Sequence, residues 1–374
     1  MNRRPSQSRT GFDSFSPQHT AHFKAAQPGG EFFEPKPRAS LGRRLLLALL
    51  LMTLIALAVN LAVNQFVRVA RVTVPIRRMD PAFEGYTLLQ ISDLKGATYG
   101  SNQALIRFAL QNEDFDAVVF TGDMVSSRGN AQPLYALIEM LRELKPDAPI
   151  YMIPGDKDPL PASMSYATGG SPFAPWVLGA KQRGGQLLSA PVQIERGGHT
   201  LWLTTSALLS LDMDTMQAQF ERQYLDALAD GDENAIELTT YNLQWLTETR
   251  NARAKMTDAD VYIALTHVPP ADEELESAYP GSLRERVHLV LCGHYQGGLI
   301  RLPFAGALFI PSQNLPLYGL LPGADTYFGL TRKGRTYLYV SPGLGGNDGL
   351  YPLPFFRLFN PPTVSLISLT TSSL

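Results

Sequence analysis

Apolar residues follow three different rhythms along this chain. Residues 1–42 have no apolar period and are rich in Ser, Pro, Gly and Gln, which predicts a disordered tail. From Leu45 to Val63 the sequence LLLALLLMTLIALAVNLAV carries no charge and one Asn. As a helix it is long enough to cross a ~30 Å hydrocarbon core, and we place a transmembrane helix at 43–66. A cleaved signal has a shorter apolar region and begins nearer the N-terminus, so a retained anchor fits better. Residues 67–85, partly alternating and closed by Pro81 and Gly85, read as an extended linker arm.

The third rhythm fills residues 86–370. Five short apolar runs read as buried strands: YTLLQIS (86–92), DAVVFT (116–121), PIYMIP (149–154), VYIAL (261–265) and VHLVLC (287–292). NQALIRFALQNE and QPLYALIEMLREL, between the first three runs, have apolar positions three and four apart and read as helices. Two successive strand–helix–strand units imply a parallel sheet with helices on its faces. Around Gly197-Gly198, Ala190–Glu195 and Leu201–Thr205 alternate as a hairpin. Residues 212–256 are polar and helical in character. Their apolar stripe suits surface helices packed on the core, or a lid over a site.

Each of the five runs ends in a polar block: Asp93-Leu94-Lys95, Gly122-Asp123, Gly155-Asp156-Lys157-Asp158, Thr266-His267 and Gly293-His294-Tyr295-Gln296. Asp supplies anionic oxygen, His neutral nitrogen, and the adjacent Gly lets the backbone turn sharply beneath a cation. Taken alone, an Asp after a strand is a turn or cap residue and a single His is a half-buried core residue. Jointly, three Asp-bearing and two His-bearing loops after buried strands are how a hydrolase assembles a metal site from distant sequence.

In this order the blocks resemble the calcineurin-like metallophosphoesterases, whose pattern reads D-x-H, G-D-x-x-D, G-N-H-D, H and G-H-x-H. FEGYTLLQISDL, LTHVPP, CGHYQGGLIRLP and YVSPGLGG are similar to the membrane-anchored bacterial branch. The likeness runs from about Phe83 to Leu369 and implies a four-layer α/β/β/α sandwich with mixed sheets. It also implies two metal positions. The first matches Asp93, Lys95, Asp123 and Gln296, where both family imidazoles are replaced and a protonated Lys cannot ligate. The second matches Asp123, Asp156, His267 and His294, all able to ligate. The implied cofactor is therefore one divalent ion (Mn, Fe or Zn) rather than two. Lys95 then neutralises Asp93 and Asp123, and Lys157 stands where the family has the His that stabilises the transferred phosphoryl group. Ser126 replaces the Asp that would orient that His, and Asp158, a loop support, is kept. Lys95 and Lys157 are the expected catalytic residues; the metal set is Asp93, Asp123, Asp156, His267 and His294.

The expected function is hydrolysis of phosphate mono- or diesters. The rival reading is a catalytically inactive binding or scaffold protein at the cell envelope. The net charge of −2 gives no case for nucleic acid; the resemblance implies a phosphorylated small molecule or lipid headgroup as partner, beside the membrane itself. Cys292 is the single cysteine and sits in an apolar run, which excludes a disulfide framework and a multi-Cys zinc site. Basic residues flank the span on both sides, with the larger number upstream. That places the tail in the cytosol and the C-terminal domain outside a single-pass cell-membrane anchor.

Overall fold

A computed structural model describes residues 40–64, 66–126, 128–167, 171–276, 283–298, 300–302, 306–310, 319–323, 327–346 and 357–372. The predicted tail up to residue 39 lies outside them. Contacts divide the chain into two units, residues 1–53 and 54–374. One helix, Leu41–Val63, is long and apolar enough to cross a membrane.

Within the second unit, fourteen strands are formed among the described residues. They are β1 (Arg68–Arg77), β2 (Thr87–Ile91), β3 (Ala117–Thr121), β4 (Ile150–Ile153), β5 (Gly185–Leu187), β6 (Val192–Arg196) and β7 (His199–Thr205). There follow β8 (Val261–Leu265), β9 (Leu289–Cys292), β10 (Arg301–Leu302), β11 (Gly306–Ala307), β12 (Gly329–Lys333), β13 (Thr336–Val340) and β14 (Thr363–Ser372). One six-stranded sheet has the order β1-β14-β2-β3-β4-β5, the other β12-β13-β9-β8-β7-β6, and β10-β11 is a separate small ribbon.

Both sheets are mixed. β2, β3, β4 and β5 run parallel, and β14 lies antiparallel to β2. In the second sheet β7, β8, β9 and β13 are parallel, and β6 and β12 close its edges antiparallel. The sheets face each other across a core that interleaves Val74, Leu88, Val119 and Ile367 with Leu203, Ile263, Leu291 and Tyr339. The outer face of the first sheet is covered by helices Ala104–Leu110, Gln132–Leu144 and Pro175–Gln182 through Ile106, Leu137, Leu141 and Trp176. On the outer face of the second, Trp202 and Tyr262 pack against Met256, which caps helix Glu233–Lys255. The result is the expected layering of α/β/β/α.

Residues 67–85 are not a linker arm outside the domain. Arg68–Arg77 pairs in parallel with β14 over ten residues and buries Val74 and Ile76 in the inter-sheet core. Its alternation had the right period, but its partner lies almost three hundred residues downstream. The insert at 212–256 is two helices, Met213–Asp230 and Glu233–Lys255. Asp212 and Asp232 each accept an N–H of the first turn, as N-caps do.

Candidate metal centre

Because β2, β3, β4, β8 and β9 run parallel within their sheets, their C-terminal loops gather at one end of the sandwich. Asp93, Asp123, Asp156, His267 and His294 arrive there from all five. The loops are locked to one another through backbone: Asp93 N donates to Gly122 O (3.0 Å), Lys95 N to Asp123 O (2.8 Å) and Gly293 N to His267 O (3.0 Å). Asp158 ties the third loop to the second, accepting from Gly155 N (2.8 Å) and Val125 N (2.7 Å).

Close approach explains the glycines. A Cβ on Gly155 would lie 2.2 Å from both the N and Oδ1 of Asp123, and one on Gly293 would lie 1.9 Å from Ser92 Oγ. The tight crossings also force non-glycine residues into the left-handed region: Asp93 (φ 55°), Lys95 (49°), Asp123 (55°), His294 (71°) and Gln296 (51°). These are half of the ten such residues among those described. Strain of this kind costs on the order of 1 kcal/mol or more per residue and concentrates at functional sites.

The hub is His267. Its Nδ1 donates to Thr121 O at 2.8 Å, which fixes the tautomer and leaves Nε2 facing the site. That Nε2 lies 3.0 Å from Asp156 Oδ1, 3.3 Å from Asp123 Oδ2 and 3.4 Å from His294 Nδ1. Two overlapping donor groups result, Asp156–His267–His294 and Asp93–Asp123–His267, each with its ligand atoms within 4.8 Å of one another. The first group fits a divalent cation: a carboxylate and two imidazole nitrogens converge, and one imidazole is already oriented by a carbonyl behind it.

Beside Asp93 the arrangement differs. Lys95, almost fully buried, sets Nζ 3.3 Å from Asp123 Oδ2 and 4.0 Å from Asp93 Oδ1. An ammonium thus stands between the two carboxylates. Asp93 is further held by Ser92 Oγ (2.6 Å), the N–H of His294 (3.1 Å) and Gln296 Nε2 (3.3 Å). The Gln296 Oε1 is buried with no partner. Lys157 is half-exposed at the rim; its Nζ is 3.0 Å from Asp156 Oδ2 and its N–H donates to Asp123 Oδ1 at 2.8 Å.

The charges respond. Burial alone would lower the His267 pKa, but hydrogen bonding to Asp123 and Asp156 outweighs it and raises it to about 11. The hydrogen bond with His267 holds the Asp156 carboxyl well below the usual range, against burial and with help from Lys157 and His294. Asp123 is raised by burial, yet His267 and Lys95 bring it down on balance. Burial, then the neighbouring His267 charge, lowers His294.

These directions set an expectation for the metal-free protein. A raised imidazole pKa contributes stability that is complete below the ordinary His value of about 6.5 and is lost as pH climbs towards 11. The depressed carboxylates have delivered their full contribution above about pH 4, and His294 above about 6.5. Denaturant midpoints taken in chelator should therefore fall as pH rises from about 6.5 towards 11, with His267 as the titrating group of the four. A saturating divalent ion, which needs the neutral imidazole, should oppose that fall.

One group that the sequence reading passed over supports the site. Arg357 is fully buried and spends its guanidinium on carbonyls: Nε on Asn360 O (2.7 Å), Nη1 on Gly345 O (2.6 Å), Nη2 on Gln296 O (3.1 Å) and Pro342 O (2.8 Å). Its signal was a lone charge inside the apolar run FFRLFN.

A family model described as calcineurin-like phosphoesterase matches residues 86–296. An uncharacterized metallophosphoesterase of Bacillus subtilis (strain 168), YkuE, is 26% identical over 268 residues, covering 70% of this chain and 73% of that protein. Among solved structures, phosphopantetheinyl hydrolase (PptH) from Mycobacterium tuberculosis is similar at 12% identity and a TM-score of 0.34, covering 70% of this chain and 91% of the other. A Thermus thermophilus protein, TT1561, is similar at 11% identity and a TM-score of 0.34, covering 70% and 90%.

Proposed function

Since this chain belongs to the calcineurin-like phosphoesterase family, we propose that it is a membrane-anchored hydrolase of phosphate mono- or diesters working with one divalent ion. Asp123, Asp156, His267 and His294 would hold that ion. The observation that carries the reading is the convergence of His267 Nε2, His294 Nδ1 and Asp156 Oδ1 within 3.4 Å of one another, with the far side of the His267 ring already committed to Thr121. When bound, a divalent ion supplies Lewis acidity at a phosphoryl oxygen and lowers the pKa of water. Mixed oxygen and nitrogen ligation suits Mn, Fe or Zn.

The chain's own residues supply the rest. Lys95 balances Asp93 and Asp123 from within the fold, where a water-filled gap would leave two facing carboxylates. Lys157, half-exposed beside Asp156, offers a positive charge to a phosphoryl group entering from solvent. A phosphorylated small molecule or a lipid headgroup is the substrate class. The apolar helix would hold the domain on the outer face of the cell membrane.

The buried Lys95 also favours a second reading, in which the ammonium plugs the site and the protein binds phosphate without turning it over. Metal analysis of the purified full-length chain, paired with turnover of bis(nitrophenyl) phosphate, separates the two. We expect about one ion per chain, and turnover that a chelator removes and Mn restores. An ion-free protein that binds phosphate without turnover would establish the second reading.

A further inference from the structure

Behind the site, four short segments lie side by side and connect it to the apolar helix. Asn60, buried near the helix end, donates from Nδ2 to Arg357 O (2.7 Å) and accepts from Phe359 N (3.0 Å); Asn64 Nδ2 also donates to Arg357 O (2.7 Å). Leu358 bridges Ile300, and its carbonyl accepts from Arg301 N. β10 pairs with β11, and Leu308 O accepts from Leu321 N beside the Phe309–Leu320 bridge. The result is a small platform running outwards from Asn60.

Its outer surface is apolar. Leu302, Phe309, Leu320, Leu321 and Phe359 are all exposed, Leu321 at 60%. Leu321 (φ 48°) and Phe359 (φ 53°) hold the left-handed backbone, which is unfavourable for bulky side chains. Strain is thus being spent to present Leu and Phe outwards, the reverse of what burial would select. The inner side of the same platform grips the metal-site loop: Arg301 Nε donates to Gly297 O (2.6 Å), and Asn360 Nδ2 to Gln296 O and Gly298 O (both 2.7 Å).

We infer that the platform is a bilayer-seating surface, on which Leu302, Phe309, Leu320, Leu321 and Phe359 enter the headgroup–acyl boundary of the membrane that holds the apolar helix. The inference rests on the anchoring reading above and is independent of catalysis. Continuity identifies the occupant: the exposed apolar side chains stand on segments hydrogen-bonded in series to Asn60, three residues before the end of an apolar helix. An interfacial surface of this kind inserts roughly 5–10 Å. It also gives the membrane a mechanical connection to the loop bearing His294 and Gln296.

The native Cys292 is fully buried, so an introduced surface thiol can be labelled selectively. Full-length Phe309→Cys and Leu321→Cys, each carrying the environment-sensitive NBD fluorophore, would be placed in phosphatidylcholine–phosphatidylglycerol liposomes containing a lipid spin-labelled near its glycerol end. Leu225→Cys, at a residue about as exposed as Leu321 (63%) but on helix Met213–Asp230, serves as the reference. The expected result is blue-shifted emission at 309 and 321 that the spin-labelled lipid quenches, with water-like emission at 225. Water-like, unquenched emission at 309 and 321 overturns the proposal. So does blue-shifted emission that the lipid does not quench, which assigns the platform to a protein contact. Neither readout uses turnover, so failure of the hydrolase reading leaves this test intact.

Discussion

Asp156→Ala is expected to abolish turnover of a nitrophenyl phosphodiester and to leave the purified protein nearly free of metal, while its unfolding midpoint in chelator falls only modestly, through the lost pairing of a partly exposed carboxylate with His267. The carboxylate sits at the rim with its side chain 38% exposed, so no core contact goes with it. What goes is the one oxygen donor within 3.0 Å of His267 Nε2 and 3.4 Å of His294 Nδ1. Loss of a residue that merely supports a metal ligand costs about 10–100-fold in affinity or activity. Removal of a ligand itself should exceed that range. Metal content, turnover and midpoint measured on one preparation check the claim. A variant that keeps both its ion and its rate would move the metal away from this donor group.

Lys95→Met reverses that pattern, losing stability before chemistry. The ammonium is buried between Asp123 and Asp93. Removing one partner of a buried ion pair typically costs about 3–5 kcal/mol, because the uncompensated charge stays behind. Asp93 has no exposure to solvent and cannot relax into water. Urea midpoints in chelator should fall accordingly, and Mn should restore part of the loss by taking the ammonium's place. An unchanged midpoint in chelator would mean that Lys95 balances nothing.

The two variants together show which parts of the site could be read from sequence. The donor residues could, because each ends an apolar run and strand polarity alone gathers five such ends. The split into two donor groups with His267 as their common member could not, since it depends on which ring nitrogen Thr121 O captures. Arg357 stood out only as a lone charge in an apolar run, with nothing to name its role. Its partners are backbone carbonyls, which carry no residue identity. The fold's main surprise, β1 as an edge strand, has the same root: alternation fixes a period but names no partner. The helices at 212–256 pack on the sandwich as a surface layer would, with Trp245 Nε1 donating to Ser189 O and Met256 on Trp202 and Tyr262, and Tyr241 also meets Phe173 in the stretch after the third block.

β14 lies between β1 and β2, and neither of those strands touches the other. During synthesis the ribosome delivers β1 and β2 early, yet the ladder that joins them waits until residues 363–372 emerge. β2 can pair with β3 on its other edge meanwhile, but β1 has no ladder partner and one edge of β2 stays unpaired through most of elongation. Until β14 arrives, each of the two strands carries an open edge, a ready template for wrong pairing.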